Sequence, residues 1–371
     1  MSNQHISQLS ATREQALQVW ARAAIGELSG RDPGPVTASG LGGDASFRRY
    51  FRYYPPAACA MPVSLLLVDA PPVTENNPAF VLAAGEFRQA GLHTPTIYAC
   101  NLEQGFMVLE DFGDQLYLPV LHQAQHDNDM VRVDKLYGQA ISALLDLQNS
   151  PHSSALPIYS QALLQQELNI FEQWFCGEML GLRLTDDDKK LLSQTSDLLI
   201  GAALAQPQVP VHRDYHSRNL MIRVLSDGTF AENQPPGVID FQDAVTGPVT
   251  YDLVSLLRDC YIAWPQQEVE RWLQGYARQA RARGILPDLY TDAELSRDFD
   301  LMGLQRHMKV LGIFCRLALR DGKTRYLQDL PVVMDYVVRI ARMRPEMGAF
   351  LQWFLAGPEP MMRRKLAELD T

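Results

Sequence analysis

The sequence predicts an α+β fold of two lobes: an N-terminal lobe with an antiparallel sheet and helices, and a mostly helical C-terminal lobe. Three observations predict it. Short apolar runs separated by turn residues crowd the stretch from Gly40 to Leu109. Helix-period patterns dominate from about Leu116 onward. One interruption, Val209 to Asp243, returns to short strand-like runs. At 371 residues the chain is long enough for a large core and two lobes. The boundary is expected between residues 112 and 113, giving an N-terminal nucleotide-binding lobe (1–112) and a C-terminal catalytic and substrate-binding lobe (113–371).

The elements follow in order. Ile6 to Leu28 reads as a helix, with Leu9, Ala16, Trp20 and Ala23-Ala24 near helical spacing and Ser10 or Thr12 as a cap. A glycine-rich turn, Gly40 to Ser46, comes next. Phe47 to Tyr54 alternates with a period of two, a strand pattern that Pro55-Pro56 ends. Val63 to Val68 is a third strand. Pro78 to Ala90 is helical, and Thr96 to Cys100 and Phe106 to Leu109 are two more strands. Beyond Leu116, helices are expected at Val131–Gln148, Leu163–Leu180, Asp186–Leu204, Tyr251–Ile262, Gln266–Arg283, Asp292–Leu319 and Pro331–Arg342, with a short one at the C-terminus. Gln123 to Asn128 and Gly228 to Pro236 read as exposed loops.

Composition excludes several classes. Hydrophobic content of 47% and charged content of 20% are those of an ordinary globular chain. A formal net charge of −10 argues against a nucleic-acid partner, although Phe47 to Tyr54 interleaves aromatics with arginines. The five cysteines are scattered and never form a Cys-x-x-Cys pair, so reduced thiols and no zinc site are expected. Neither a signal peptide nor a bilayer-spanning run is apparent, and the expected location is cytoplasmic, with no membrane and no obligate protein partner.

The chemistry concentrates in Val211-His212-Arg213-Asp214-Tyr215-His216-Ser217-Arg218-Asn219-Leu220, followed by Val238-Ile239-Asp240-Phe241. His-Arg-Asp, four residues, then Asn is the spacing of a kinase catalytic loop, and a second Asp arrives behind an apolar strand. Phosphoryl transfer needs a carboxylate at the attacking hydroxyl, and a carboxamide oxygen and second carboxylate for magnesium. Asp214, Asn219 and Asp240 supply those groups. The glycine turn, with Gly40, Gly42, Gly43 and Ser46, can approach ATP phosphates or serve as a plain hairpin turn.

The order of strands and helix before Glu110 resembles the N-terminal lobe of a protein kinase-like fold. Most of the chain resembles the aminoglycoside phosphotransferase and choline kinase family. That resemblance rests on His212 to Met221, Ile239 to Asp243, Tyr251 to Asp259 and the short stretch Gln242 to Leu253, which leaves no room for a protein-docking loop. His216 stands where small-molecule kinases of this family often carry His. Val68 to Pro72 and Leu304 to Phe314 resemble the branch that phosphorylates the C1 hydroxyl of N-acetylmuramate and N-acetylglucosamine in bacterial cell-wall recycling. The resemblance implies Asp214 as base, Asn219 and Asp240 as magnesium ligands, ATP as donor and a small amino sugar as acceptor. It also places Glu110 and Phe112 at the linker whose backbone meets adenine. Two alternatives stand beside it: a phosphotransferase for aminoglycosides or other small alcohols, and a nucleotide-binding pseudokinase.

One departure bears on the nucleotide. No lysine precedes Lys135, so the strand-three lysine of the wider family is absent. Positive charge at the phosphates is left to Arg48, Arg49 or Arg52, or to magnesium alone, and Arg49 or Arg52 is expected to take part of the role. On the sugar side, His216, Asp243, Arg306 and His307 are the expected contacts. Gln305 to Lys309 puts three potential cations on one helix, suited to a lactyl carboxylate but equally to a solvated face.

Overall fold

The computed structural model describes residues 3–42, 47–150, 155–224, 229 and 231–369, with side chains from Thr12 onward. Its elements are α1 (Asn3–Ser29), β1 (Ser39–Leu41), β2 (Arg49–Tyr53), β3 (Leu65–Asp69), α2 (Asn77–Gln89), β4 (Ile97–Asn101), β5 (Phe106–Glu110), α3 (Tyr117–His126), α4 (Met130–Gln148) and α5 (Gln161–Ile170). A π-helix, Phe171–Met179, continues α5. Then come α6 (Asp186–Ala205), β6 (Gln208–Val211), β7 (Leu220–Met221), β8 (Gly237–Val238), β9 (Val245–Pro248), α7 (Tyr251–Leu257), α8 (Gln266–Ala282), α9 (Asp292–Asp321), α10 (Leu330–Met343), α11 (Gly348–Ala356) and α12 (Pro358–Leu369). By their contacts these fall into two compact units: Met1–Leu116 with Leu220–Asp243, and Tyr117–Asn219 with Ala244–Thr371.

The first unit is built on a five-stranded antiparallel sheet in the order β1-β2-β3-β5-β4. Alternation places Phe51 and Tyr53 of β2 and Leu65 and Leu67 of β3 in one core with Phe106 and Val108 of β5. Leu17, Ala21 and Ile25 of α1 close that core, while Ala16 and Ala23 of the expected apolar face are exposed, a shift of the buried stripe by about one residue. α1 begins at Asn3 and runs through Ser10 and Thr12, so neither caps it. Asn76 caps α2 by accepting the Ala79 N–H, and Pro78 occupies its first turn. Phe80 and Phe87 of α2 receive the Phe241 ring at centroid distances of 4.9 and 6.0 Å. Phe241 thus fixes the chain one residue after Asp240. The β7–β8 pair lies just upstream, and its Val238 N–H donates to His93 O at 2.8 Å.

In the second unit α9 is the central helix, with residues of every face buried between Leu295 and Ala318. A capping box between Thr291 and Glu294 starts it, and Gly322, at φ 68°, ends it. Gly312 allows a close approach: a Cβ there would lie 2.4 Å from Ile170 O. The π-helix begins at the next residue, Phe171. The single helix expected over Leu163–Leu180 is therefore two hydrogen-bonding regimes. The loop expected at Gln123–Asn128 is also corrected. α3 persists to His126 on a buried face of Val120, Leu121 and Ala124, and the turn is confined to the residues around Asn128, at φ 54°. The helix expected to reach Ile262 stops at Leu257, where Asp259 Oδ1 accepts the Tyr261 N–H at 3.0 Å and turns the backbone away. Of the loop expected at Gly228–Pro236, Gly228 and Phe230 lie outside the described residues.

Candidate active site

The segment His212–Asn219 leaves β6 and is held by three buried carboxylates. Asp252, at the start of α7, accepts the backbone N–H of His212 at 2.6 Å and of Arg213 at 2.9 Å. Arg213 sits at φ 76°, a left-handed conformation that costs a side-chain-bearing residue on the order of 1–2 kcal/mol. Asp259 accepts both Ser217 N–H, at 3.0 Å, and Ser217 Oγ. Glu167 of α5 accepts the Arg213 guanidinium and the Tyr159 hydroxyl. Within the segment, the Asp214 N–H donates to His212 Nδ1 at 3.2 Å, which makes Nδ1 the lone-pair nitrogen. Asn219 Nδ2 donates to Asp214 O at 2.9 Å, leaving the amide oxygen as its remaining acceptor.

Burial opposes ionisation of Asp214. Lys309, His216, Arg306 and Arg213 outweigh it, and the pKa of Asp214 is lowered. Lys309 donates to Glu167 at 2.9 Å and to the Tyr251 hydroxyl at 3.0 Å, and Gln305 Nε2 donates to Glu167 at 3.1 Å. Burial likewise works to raise Glu167, but Lys309, Arg213 and Tyr159 hold it down at about 2. Glu167 was not singled out in the sequence. The signal was present, since Glu167 falls on the stripe Leu164, Leu168, Phe171, where a carboxylate must find buried partners.

The α9 residues divide. Arg306 is 2% exposed, and among the described residues its Nη1 has no hydrogen-bond partner. It contributes to lowering Asp214. His307 is fully buried, stacked on Tyr336 at 4.7 Å, with Nε2 against Arg258 O at 3.0 Å. These contacts make it a packing residue of the interior. His216 meets Tyr261 edge-on at 5.3 Å, and burial works to lower its pKa.

The remaining expected residues belong to the first unit. Asp240 is exposed at φ 64°, and Gln242 Nε2 donates to its Oδ1 at 2.9 Å. Asp243 is exposed. Gly40 pairs with Phe51 in the sheet and Gly42 follows β1, while Gly43 and Ser46 lie outside the described residues. Arg49 pairs with Asp69 at 2.5 Å, and Asp69 also accepts Arg13. Arg52 pairs with Asp111 at 2.5 Å and Asp114 at 2.8 Å. Both arginines expected at the phosphates are thus engaged by carboxylates. Glu110 Oε2 accepts Thr96 Oγ1 at 2.6 Å, and Phe112 is buried against Gly237, where a Cβ would lie 2.5 Å from the ring. Asn219 offers a carboxamide oxygen and Asp240 a carboxylate, each a hard-oxygen donor of the kind magnesium takes.

A sheet-bearing first unit, a helical second unit and a carboxylate loop built in this way define a kinase-like phosphotransferase. The chain belongs to the phosphotransferase enzyme family, whose model matches residues 37–288. It is 44% identical over 342 residues to the N-acetylmuramate/N-acetylglucosamine kinase of Pseudomonas putida, covering 91% of this chain and 94% of that one. It is 40% identical over 343 residues to the protein of the same name in Pseudomonas aeruginosa, again covering 91% and 94%. Among solved structures, a choline/ethanolamine kinase family protein from Mesorhizobium loti shares the fold at a TM-score of 0.55 and 15% identity, covering 91% of this chain and 98% of that one. Among the described residues, no helix is long and apolar enough to cross a membrane.

Proposed function

We propose that the protein is an ATP-dependent kinase that phosphorylates the C1 hydroxyl of N-acetylmuramate and N-acetylglucosamine. The observation that carries this reading is Asp214, held on the loop that Asp252 anchors and with its pKa lowered by neighbouring cations, in a chain 44% identical over 91% of its length to a relative so named. Asp214 accepts the proton of the C1 hydroxyl. The O1–phosphorus bond forms as the bond between the γ-phosphorus and its bridging oxygen breaks, and ADP leaves. Asn219 Oδ1 and the Asp240 carboxylate are the residues suited to hold magnesium. When bound, that ion supplies charge neutralisation at the phosphate oxygens. Gly40 and Gly42 offer backbone to the phosphates, and the backbone of Glu110 and Phe112 meets adenine.

Lys309 is engaged by Glu167 and Tyr251, whereas Arg306 has a buried Nη1 with no hydrogen-bond partner among the described residues. That unpartnered Nη1 suits a lactyl carboxylate or an acetamido oxygen. His216 and Asp243 complete the proposed sugar contacts. ATP as donor and five unpaired cysteines fit a cytoplasmic setting.

Incubation with ATP, magnesium and either sugar tests this reading, with phosphorus NMR reporting the sugar 1-phosphate. Turnover of kanamycin-like polyamines with none of the sugars would move the protein to the aminoglycoside class. Nucleotide binding without any turnover would make it a pseudokinase.

A further inference from the structure

A nucleoside triphosphate brings about four negative charges to its site, and fixed cations normally meet them alongside the metal. The first unit offers no lysine, and Arg13, Arg49 and Arg52 are held by Asp69, Asp111 and Asp114. Arg48 differs from them in its placement. It stands directly before β2, and it is only 3% exposed. Its guanidinium lies over the Phe80 ring at 4.7 Å, which fixes its plane. Nη2 faces Glu75 Oε2 at 3.3 Å, while Glu75 Oε1 accepts the Phe47 N–H at 3.0 Å. One carboxylate therefore pins both the Phe47 backbone and the arginine.

The other side of Arg48 leads to Asp240. Nη1 donates to Gln242 Oε1 at 3.4 Å, and Gln242 Nε2 donates to Asp240 Oδ1 at 2.9 Å. A single amide thus separates the guanidinium from the carboxylate assigned to magnesium. The contacts to Glu75 and Gln242 are longer than charge-assisted hydrogen bonds usually are, about 2.7–2.9 Å, and the Tyr50 hydroxyl is a further hydrogen-bond partner of Arg48. Phosphate oxygens can displace the Glu75 or Gln242 contact more readily than the Asp69 carboxylate that stands 2.5 Å from Arg49.

We propose that Arg48, oriented by Glu75, Gln242 and Phe80, is the cation that contacts the β- and γ-phosphates of the nucleotide. The assignment rests on the reading of the protein as an ATP-dependent kinase. Arginine suits the position because its planar fork can bind two phosphate oxygens while keeping the Glu75 contact.

Calorimetric titration of the intact protein with adenosine, ADP and an ATP analogue, magnesium present, separates the possibilities. Arg48→Gln should weaken ADP and the analogue by about tenfold or more and leave adenosine within about twofold. Arg48→Lys should recover part of the loss. Arg49→Gln should leave the ratio of ADP to adenosine affinity unchanged. Equal weakening of all three ligands in both Arg48 variants would mean a packing role and overturn the proposal, as would unchanged ADP affinity in Arg48→Gln. Loss of ADP affinity in Arg49→Gln with none in Arg48→Gln would transfer the contact to Arg49. Failure of the unaltered protein to bind any nucleotide would remove the kinase reading itself, and this proposal with it.

Discussion

Asp252 accepts the Arg213 N–H at 2.9 Å and holds that residue at φ 76°, in the conformation that presents Asp214. The carboxylate is fully buried and takes a second hydrogen bond from the His212 N–H. Asp252→Ala leaves two backbone donors buried without an acceptor and releases a strained residue. The variant should lose about 3 kcal/mol in urea denaturation, and kcat should fall at least about tenfold. A variant of unchanged kcat would show that the left-handed turn stands without its carboxylate.

Glu167 gathers Arg213, Lys309, Gln305 and Tyr159 around one buried carboxylate. Glu167→Gln leaves two cations without their anion and should cost about 3–5 kcal/mol. The pH dependence has a definite sign. The folded pKa of Glu167 is held down at about 2, below its ordinary value of 4.5, so its contribution is present above about pH 4.5 and is lost as pH falls toward 2. Denaturation midpoints measured across that window should fall steeply in the native protein and less steeply in Glu167→Gln. Parallel slopes would assign the acid sensitivity to other groups.

Asp214 and Asp240 should separate kinetically. Asp214→Asn removes the proton acceptor and should cut kcat about a hundredfold or more, with nucleotide affinity held within about twofold. Asp240→Ala should instead weaken Mg-ATP and raise the magnesium concentration needed for half-maximal rate. A kcat unchanged in Asp214→Asn would take the base role from that residue.

Arg306 should discriminate between the two sugars. N-acetylmuramate carries a carboxylate that N-acetylglucosamine lacks, and the guanidinium has a buried Nη1 with no hydrogen-bond partner among the described residues. Arg306→Gln should raise KM for N-acetylmuramate about tenfold more than for N-acetylglucosamine. Equal changes for both sugars would confine Arg306 to its electrostatic effect on Asp214.

The segment 212–219 stood out in the sequence because its pattern is local. Asp214 and Asn219 are five residues apart, and the strand pattern of Phe47–Tyr54 requires only the alternation of neighbours. The choice among Arg48, Arg49 and Arg52 was not legible, because their partners come from Glu75, Asp69 and Asp111, and no periodicity encodes which carboxylate meets which guanidinium. His307 illustrates a related limit. α9 is buried on every side over its middle turns, so the distinction between a solvated face and a lining face loses meaning there. The early end of α7 depended on Asp259 preferring the Tyr261 and Ser217 amides, a local competition that an apolar pattern does not report.

The contact units share one polypeptide in an interleaved way, with handovers at 116/117, 219/220 and 243/244. Asn219 abuts the second of these and Asp240 lies three residues before the third. A fragment ending at Leu116 would therefore lack Phe241, leaving the rings of Phe80 and Phe87 without their cover. Division of this protein into separately expressed halves must carry 220–243 along with the N-terminal piece, so a fusion of two ancestral modules end to end is a poor description of how such a chain is assembled.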